Sequence, residues 1–136
     1  MKRISFVLIL CLLLSFSTQI LASAEETTIS PRINNASDVQ CNFDIANDVA
    51  IADVKVNGYQ NVTTNISVSV KLEKKLLFGL VWNDVEEWTA SSTNASDDFR
   101  FTKAVGSGTY RCSFEVTVEG NGGSADVITD QITVKN

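Results

Sequence analysis

Apolar and polar residues alternate with period two along most of this chain, the pattern of strands with one buried face. The clearest case is "NISVSVKLE" (65–73), where Ile66, Val68, Val70 and Leu72 alternate with Ser67, Ser69, Lys71 and Glu73. "YRCSFEVTV" (110–118) sets Tyr110, Cys112, Phe114, Val116 and Val118 against Arg111, Ser113, Glu115 and Thr117. "VQCNFDI" (39–45) puts Val39, Cys41, Phe43 and Ile45 on one face, and "AIADVKV" (50–56) does the same less cleanly with Ala52, Val54 and Val56. "DFRF" (98–101) and "DVITDQITV" (126–134) complete the regular set, while "VWNDVEEW" (81–88) predicts a strand with a ragged pattern. Turn chemistry falls at Asn57-Gly58 and at "GNGG" (120–123).

About seven short strands with no helix predict an all-β fold, an antiparallel β-sandwich. A small barrel is the competing architecture. Cys41 and Cys112 both fall on inferred inward faces, so the register that buries the valines also brings these sulfurs to the core.

The N-terminus does not share this pattern. Lys2 and Arg3 precede the apolar run "ISFVLILCLLLSF" (4–16), and "ASA" (22–24) has the small-x-small form of a peptidase site. Residues 1–24 read as a secretion signal, too short for a comfortable membrane span; an uncleaved anchor is the alternative. Residues 25–37, "EETTISPRINNAS", carry the only proline and no periodicity, and read as a flexible leader to a domain over 38–136.

Cleavage changes both the charge and the cysteine arithmetic. Removing Lys2 and Arg3 from the 11 basic residues leaves nine against 16 acidic, a net charge of -7. An acidic chain without a basic cluster is repelled by nucleic acid and by anionic lipid, and no later apolar run is long enough to span a bilayer. Cys11 departs with the signal, leaving Cys41 and Cys112 in an oxidising compartment. One disulfide is the simplest expectation. It closes a loop of about 70 residues, worth roughly 4 kcal/mol on chain-entropy grounds.

Two resemblances follow from these residues. Tyr110-x-Cys112 resembles the tyrosine corner and second cysteine of immunoglobulin domains. Trp82, however, lies two strands beyond Cys41, and Cys41 sits on the first strand, so the spacing is nearer to a fibronectin-III-like sandwich. Leu72-Glu73-Lys74-Lys75, then Trp82, Val85 and Trp88, then Gly108-Thr109-Tyr110-Arg111 resemble the pattern of a group of small secreted β-domain proteins of Gram-positive bacteria, mostly clostridia and relatives. That resemblance covers most of 38–135. It implies fold and location; the group has no established activity.

The chain has no histidine, which removes Ser-His-Asp and Cys-His catalysis and the commonest metal ligand. No phosphate-binding Gly-rich loop with a lysine occurs. No cofactor is expected. Paired carboxylates remain as chemistry, either for glycoside-type hydrolysis or for calcium: Asp84, Glu86 and Glu87, or Asp97 and Asp98. No ordered D-x-D-x-D-G loop supports calcium, and adjacent acids on strands are ordinarily a solvated surface. Asn35, Asn61, Asn65 and Asn94 head Asn-x-Ser/Thr triplets, glycan acceptors in a eukaryotic secreted protein and chance matches in a bacterial one.

The stretch "KKLLFGLVWNDVEEW" (74–88) stands apart. It predicts a hairpin with Gly79 in the turn, whose apolar residues either cap the core or form an exposed contact tip. Leu76, Leu77, Phe78, Trp82 and Trp88 are the contact candidates. The tryptophans share a face, roughly 20 Å apart, unless a bulge separates them. The expected function is a secreted, non-catalytic binding module for an extracellular protein or cell-wall component. A small antibacterial or membrane-active protein is the alternative, and a carboxylate-dependent hydrolase the third.

Overall fold

Every predicted alternation lies in a strand. A computed structural model describes residues 33–136; the signal placed at 1–24 and positions 25–32 of the leader lie outside the described residues. The strands are β1 (Ala36–Ala46), β2 (Val49–Gly58), β3 (Thr63–Leu76), β4 (Val81–Ser92), β5 (Ser96–Ala104), β6 (Thr109–Gly120) and β7 (Asp126–Lys135). All pairings are antiparallel. One sheet has the order β1-β2-β5 and the other β4-β3-β6-β7. Among the described residues no strand pairs across the two sheets, so the architecture is a sandwich and not a barrel. No helix among the described residues is long and apolar enough to cross a membrane.

The core is the sum of the inward faces. On β3 and β6, Ile66 pairs with Val118, Val68 with Val116, Val70 with Phe114 and Leu72 with Cys112, and all eight are buried. From the other sheet, β2 contributes Ala50, Ala52, Val54 and Val56. Ala52 lies in register between Phe43 and Phe101, so a small side chain separates two rings in one row. Each Val, Leu, Ile or Phe fully removed from water contributes about 1.5–3 kcal/mol, which is why a strict period of two specifies the fold so strongly.

Polar groups close the ends. Asp126 accepts backbone N–H donors from Asn34 (2.7 Å), Asn35 (2.6 Å) and Ala36 (3.1 Å). Asn35 is fully buried: its amide donates to the carbonyls of Val118 and Ser124, and its Oδ1 accepts from Gly122 N–H. This corrects the sequence reading at two points. Asn34–Ser37, assigned to the leader, are tied to the fold: a buried carboxylate takes the backbone donors of Asn34, Asn35 and Ala36, and the Ser37 hydroxyl donates to the Asn57 carbonyl. Asn35 also has no amide free to carry a glycan in the folded chain.

The turns differ from expectation too. Asn57 and Gly58 end β2, and the chain reverses over Tyr59–Val62 with Asn61 at φ 64°. Gly58 is needed for close approach, since a Cβ there would meet the Ala95 carbonyl at 2.2 Å. The sequence reading missed Asn47-Asp48, the loop between β1 and β2, with φ of 52° and 59°. Positive φ at both central residues is the hairpin geometry that Asn and Asp tolerate best. At the start of β6, the Tyr110 hydroxyl donates to the Gly106 carbonyl at 2.9 Å.

Leu72→Ala is expected to destabilise the fold by about 2–5 kcal/mol in urea unfolding. Asp126→Ala, which orphans three backbone donors, should cost about 3 kcal/mol or more. The half-exposed Val127 should tolerate alanine within about 0.5 kcal/mol.

Candidate functional site

The hairpin of β3 and β4 is longer than the sheet that carries it. Pairing of β3 with β6 ends at Lys74↔Tyr110, while pairing with β4 continues to Leu76↔Val81. The last residues therefore project past the layer closed by Tyr110. Beyond that layer no core remains for the alternation to bury, and the apolar run turns outward. Phe78 is 108% exposed and Leu80 83%, with Val81 at 46% and Leu76 at 41%. Leu77 lies in the turn; its side chain is outside the described residues.

The turn backbone is costly. Phe78 has φ 56° and ψ 26°, and Gly79 has φ 91°. Glycine adopts this region freely, whereas a bulky L-residue there costs about 1–2 kcal/mol. The reversal is closed by Leu80 N–H donating to the Leu76 carbonyl at 3.2 Å. A Cβ at Gly79 would also press on Lys75 Cε at 3.1 Å, so Lys75 lies folded along the turn.

The two tryptophans are on opposite faces. A register shift between Leu72 and Glu73 leaves Val85 as the extra residue of β4, a bulge that reverses the facing of everything beyond it. Trp88, paired with Val70, packs on the core and stacks on Phe101 with ring centroids 5.7 Å apart. It is remote from the exposed tip. Trp82, paired with Lys75, faces outward and is half-exposed. Arg111 lies 4.3 Å and Lys75 Nζ 5.5 Å from its ring centroid. Arg111 is itself held by Glu73, at 2.8 Å from Nε and 2.7 Å from a terminal nitrogen, a forked charge-assisted contact. Lys74 Nζ sits 5.3 Å from the Tyr110 ring centroid.

The structure thus brings Leu76, Phe78 and Trp82 to one end of the hairpin, and adds Leu80, Val81 and a layer of cations. Lys74-Lys75 directly before the apolar run was a readable signal for that layer. Arg111 was not, since it arrives through the β3–β6 register.

Of the acidic candidates, Asp84, Glu86 and Asp97 are engaged, Asp84 on the hairpin itself. Asp84 pairs with Lys71 at 2.9 Å and Glu86 with Lys103. The Lys103 hydrogen bond holds the Glu86 carboxyl below its usual range, and the Ser92 hydroxyl, then the Asn94 amide, do the same for Asp97. A general acid requires the opposite shift. Among the described residues no cluster of three or more His, Cys, Asp or Glu is placed to hold a metal.

Cys41 and Cys112 are free thiols in this structure; the expected disulfide is not formed. Cys112 is buried and Cys41 half-buried, and both pack in one core cluster. Burial pushes the Cys41 thiol up to about 11, with Asp130 adding to the effect. It pushes Cys112 up to about 12, with the Cys41 charge adding, which places the two sulfurs within electrostatic reach. Unfolded thiols ionise from about pH 8.5, while the folded ones stay protonated. The unfolded chain then binds fewer protons, so stability of the reduced protein falls as pH rises from there until the folded thiols titrate. Urea unfolding of reduced protein at about pH 7 and about pH 10 should show this loss. A Cys41→Ala/Cys112→Ala variant should show a shallower slope.

No family model, curated protein or solved structure matches this chain.

Proposed function

We propose that this chain is a secreted, non-catalytic binding module whose contact site is the β3–β4 tip. The observation that carries the reading is Phe78: a ring wholly in solvent, on a backbone of unfavourable φ, at the end of a projecting hairpin. A fold that otherwise buries its apolar face tolerates both costs at one residue. Strained backbone and exposed apolar groups concentrate at functional and interaction sites.

Secretion rests on the signal-like residues 1–24. The immunoglobulin or fibronectin-III kinship draws support from the Tyr110–Gly106 hydrogen bond and the three-plus-four strand division. The fourth strand pairs with β3 rather than β5, which departs from the constant-type immunoglobulin arrangement. Membership in the Gram-positive group of small secreted proteins remains part of the proposal, carried by the Lys74-Lys75, Trp82-Val85-Trp88 and Tyr110-Arg111 pattern. We place Cys41 and Cys112 as the partners of one disulfide in the exported protein, since they share the core cluster. A thiol assay on natively exported, denatured protein should then find no free thiol; two would sink the pairing.

The partner is an extracellular protein or a cell-wall component. Folded protein lacking residues 1–24 should pellet with purified Gram-positive cell walls or intact cells. Phe78→Ser and Trp82→Ala should each lose at least about tenfold of that binding, the scale of a buried aromatic contact. If the parent is captured and both variants match it, the tip is not the site. The alternative, an antibacterial or membrane-active protein, draws on the same tip and predicts growth inhibition of neighbouring strains by the parent alone.

A further inference from the structure

We infer that the tip docks into the interfacial layer of an anionic lipid surface. This rests on the reading of the β3–β4 tip as the contact site and assigns it a lipid surface in place of a protein or cell-wall partner.

Shape is the first argument. Phe78 and Leu80 project from a convex hairpin end and touch almost nothing of their own fold. A folded protein partner must offer a matching pocket, whereas the boundary between headgroups and acyl chains deforms around whatever enters it. The second argument is the layering of side chains behind the tip. Leu76 and Val81 form the last ladder pair, and Lys75 and Trp82 the one before it. Half-exposed Trp82 carries Lys75 and Arg111 against its ring, and Lys74 stands over the buried Tyr110 that closes the core behind it. A lipid interface sorts side chains in this order: apolar groups deepest, the indole ring at headgroup level, lysines reaching up to phosphate. The ring-and-cation layer stands roughly 7 Å behind the turn, by strand rise, within the depth to which interfacial elements sink.

Charge is the third argument, and it reverses the expectation drawn from the whole chain. The acids nearest the tip are already engaged, Glu73 by Arg111 and Asp84 by Lys71. Among the described residues Lys74 and Lys75 form no ion pair. Lys135 stands at the same end, in register with Thr109, and the negative groups there are Asp48 in the β1–β2 turn and the Asn136 carboxylate, fewer than the three lysines. At physiological salt, fields decay over about 8 Å. The acids on the far faces of the sandwich therefore do little at the tip, and its local charge is positive.

The test uses protein lacking residues 1–24, because the apolar stretch 4–16 would bind lipid by itself; the described fold lies wholly within 33–136. Vesicles of phosphatidylcholine alone, and of phosphatidylcholine with phosphatidylglycerol, are floated with protein carrying Trp88→Phe, so that emission reports on Trp82. We expect flotation with the anionic vesicles, weakened by salt, and a blue shift of Trp82. Phe78→Ser and Leu80→Ser should each reduce partitioning by about tenfold or more. Lys74→Gln and Lys75→Gln should each reduce it by about fivefold. No flotation from a parent that still pellets with cell walls overturns the lipid assignment and leaves the tip as a site for wall polymer or protein. Equal flotation with neutral and anionic vesicles, or flotation unchanged in the tip variants, overturns it as well. If the parent binds neither vesicles nor walls, the contact-site reading falls with it.

Discussion

The ladder between β3 and β6 is the constraint on which the rest of the molecule depends. These are the two inner strands of the larger sheet, and their paired inward residues supply eight of the buried core side chains. A shift of one residue would turn Ile66, Val68, Val70 and Leu72 to solvent and bring serines and charges inward. Everything functional is positioned from this register. It delivers Arg111 to Glu73 and Trp82, sets Lys74 over Tyr110, and buries Cys112 beside the inward face of β1.

The bulge at Val85 shows how a single added residue divides one sequence motif between two tasks. Before it along β4, Trp82 faces outward among cations; after it, Trp88 is part of the core. Without the bulge both rings would compete for the same face. Stability and surface chemistry are thereby separated on one hairpin, and the tip can be altered without touching the packing of Trp88 on Phe101.

The strands were legible because burial has a period of two and little else in the chain imitates it. The sandwich followed from the number of strands and their spacing. What escaped sequence reasoning depends on contacts between distant segments. Asn35 sits in a stretch whose composition is that of a leader, and distant groups, Thr63 and then Asp126 and the β6–β7 turn some 90 positions later, make it part of the fold. Asn57-Gly58 has turn composition, yet its glycine serves close packing against Ala95. Within the candidate site, the apolar run and both tryptophans stood out in the sequence. The facing of each tryptophan did not, because a bulge is decided by the partner strand. Nor did Arg111, the member of the cation layer that comes from β6.

The Asn35–Asp126 clamp also gives the molecule a direction. It fixes the point where the chain enters the sandwich beside Thr63, at the start of β3, whereas the tip lies at that strand's other end, roughly 40 Å away by strand rise. The final residue is on the opposite side of this polarity: Asn136 bonds to Gly108 and Asp48 at the tip's own end. A label, tag or solid support joined ahead of residue 33 leaves the hairpin free to meet a surface head-on. The same attachment after Asn136 crowds the hairpin, and a negative binding result obtained that way would reflect the attachment rather than the protein.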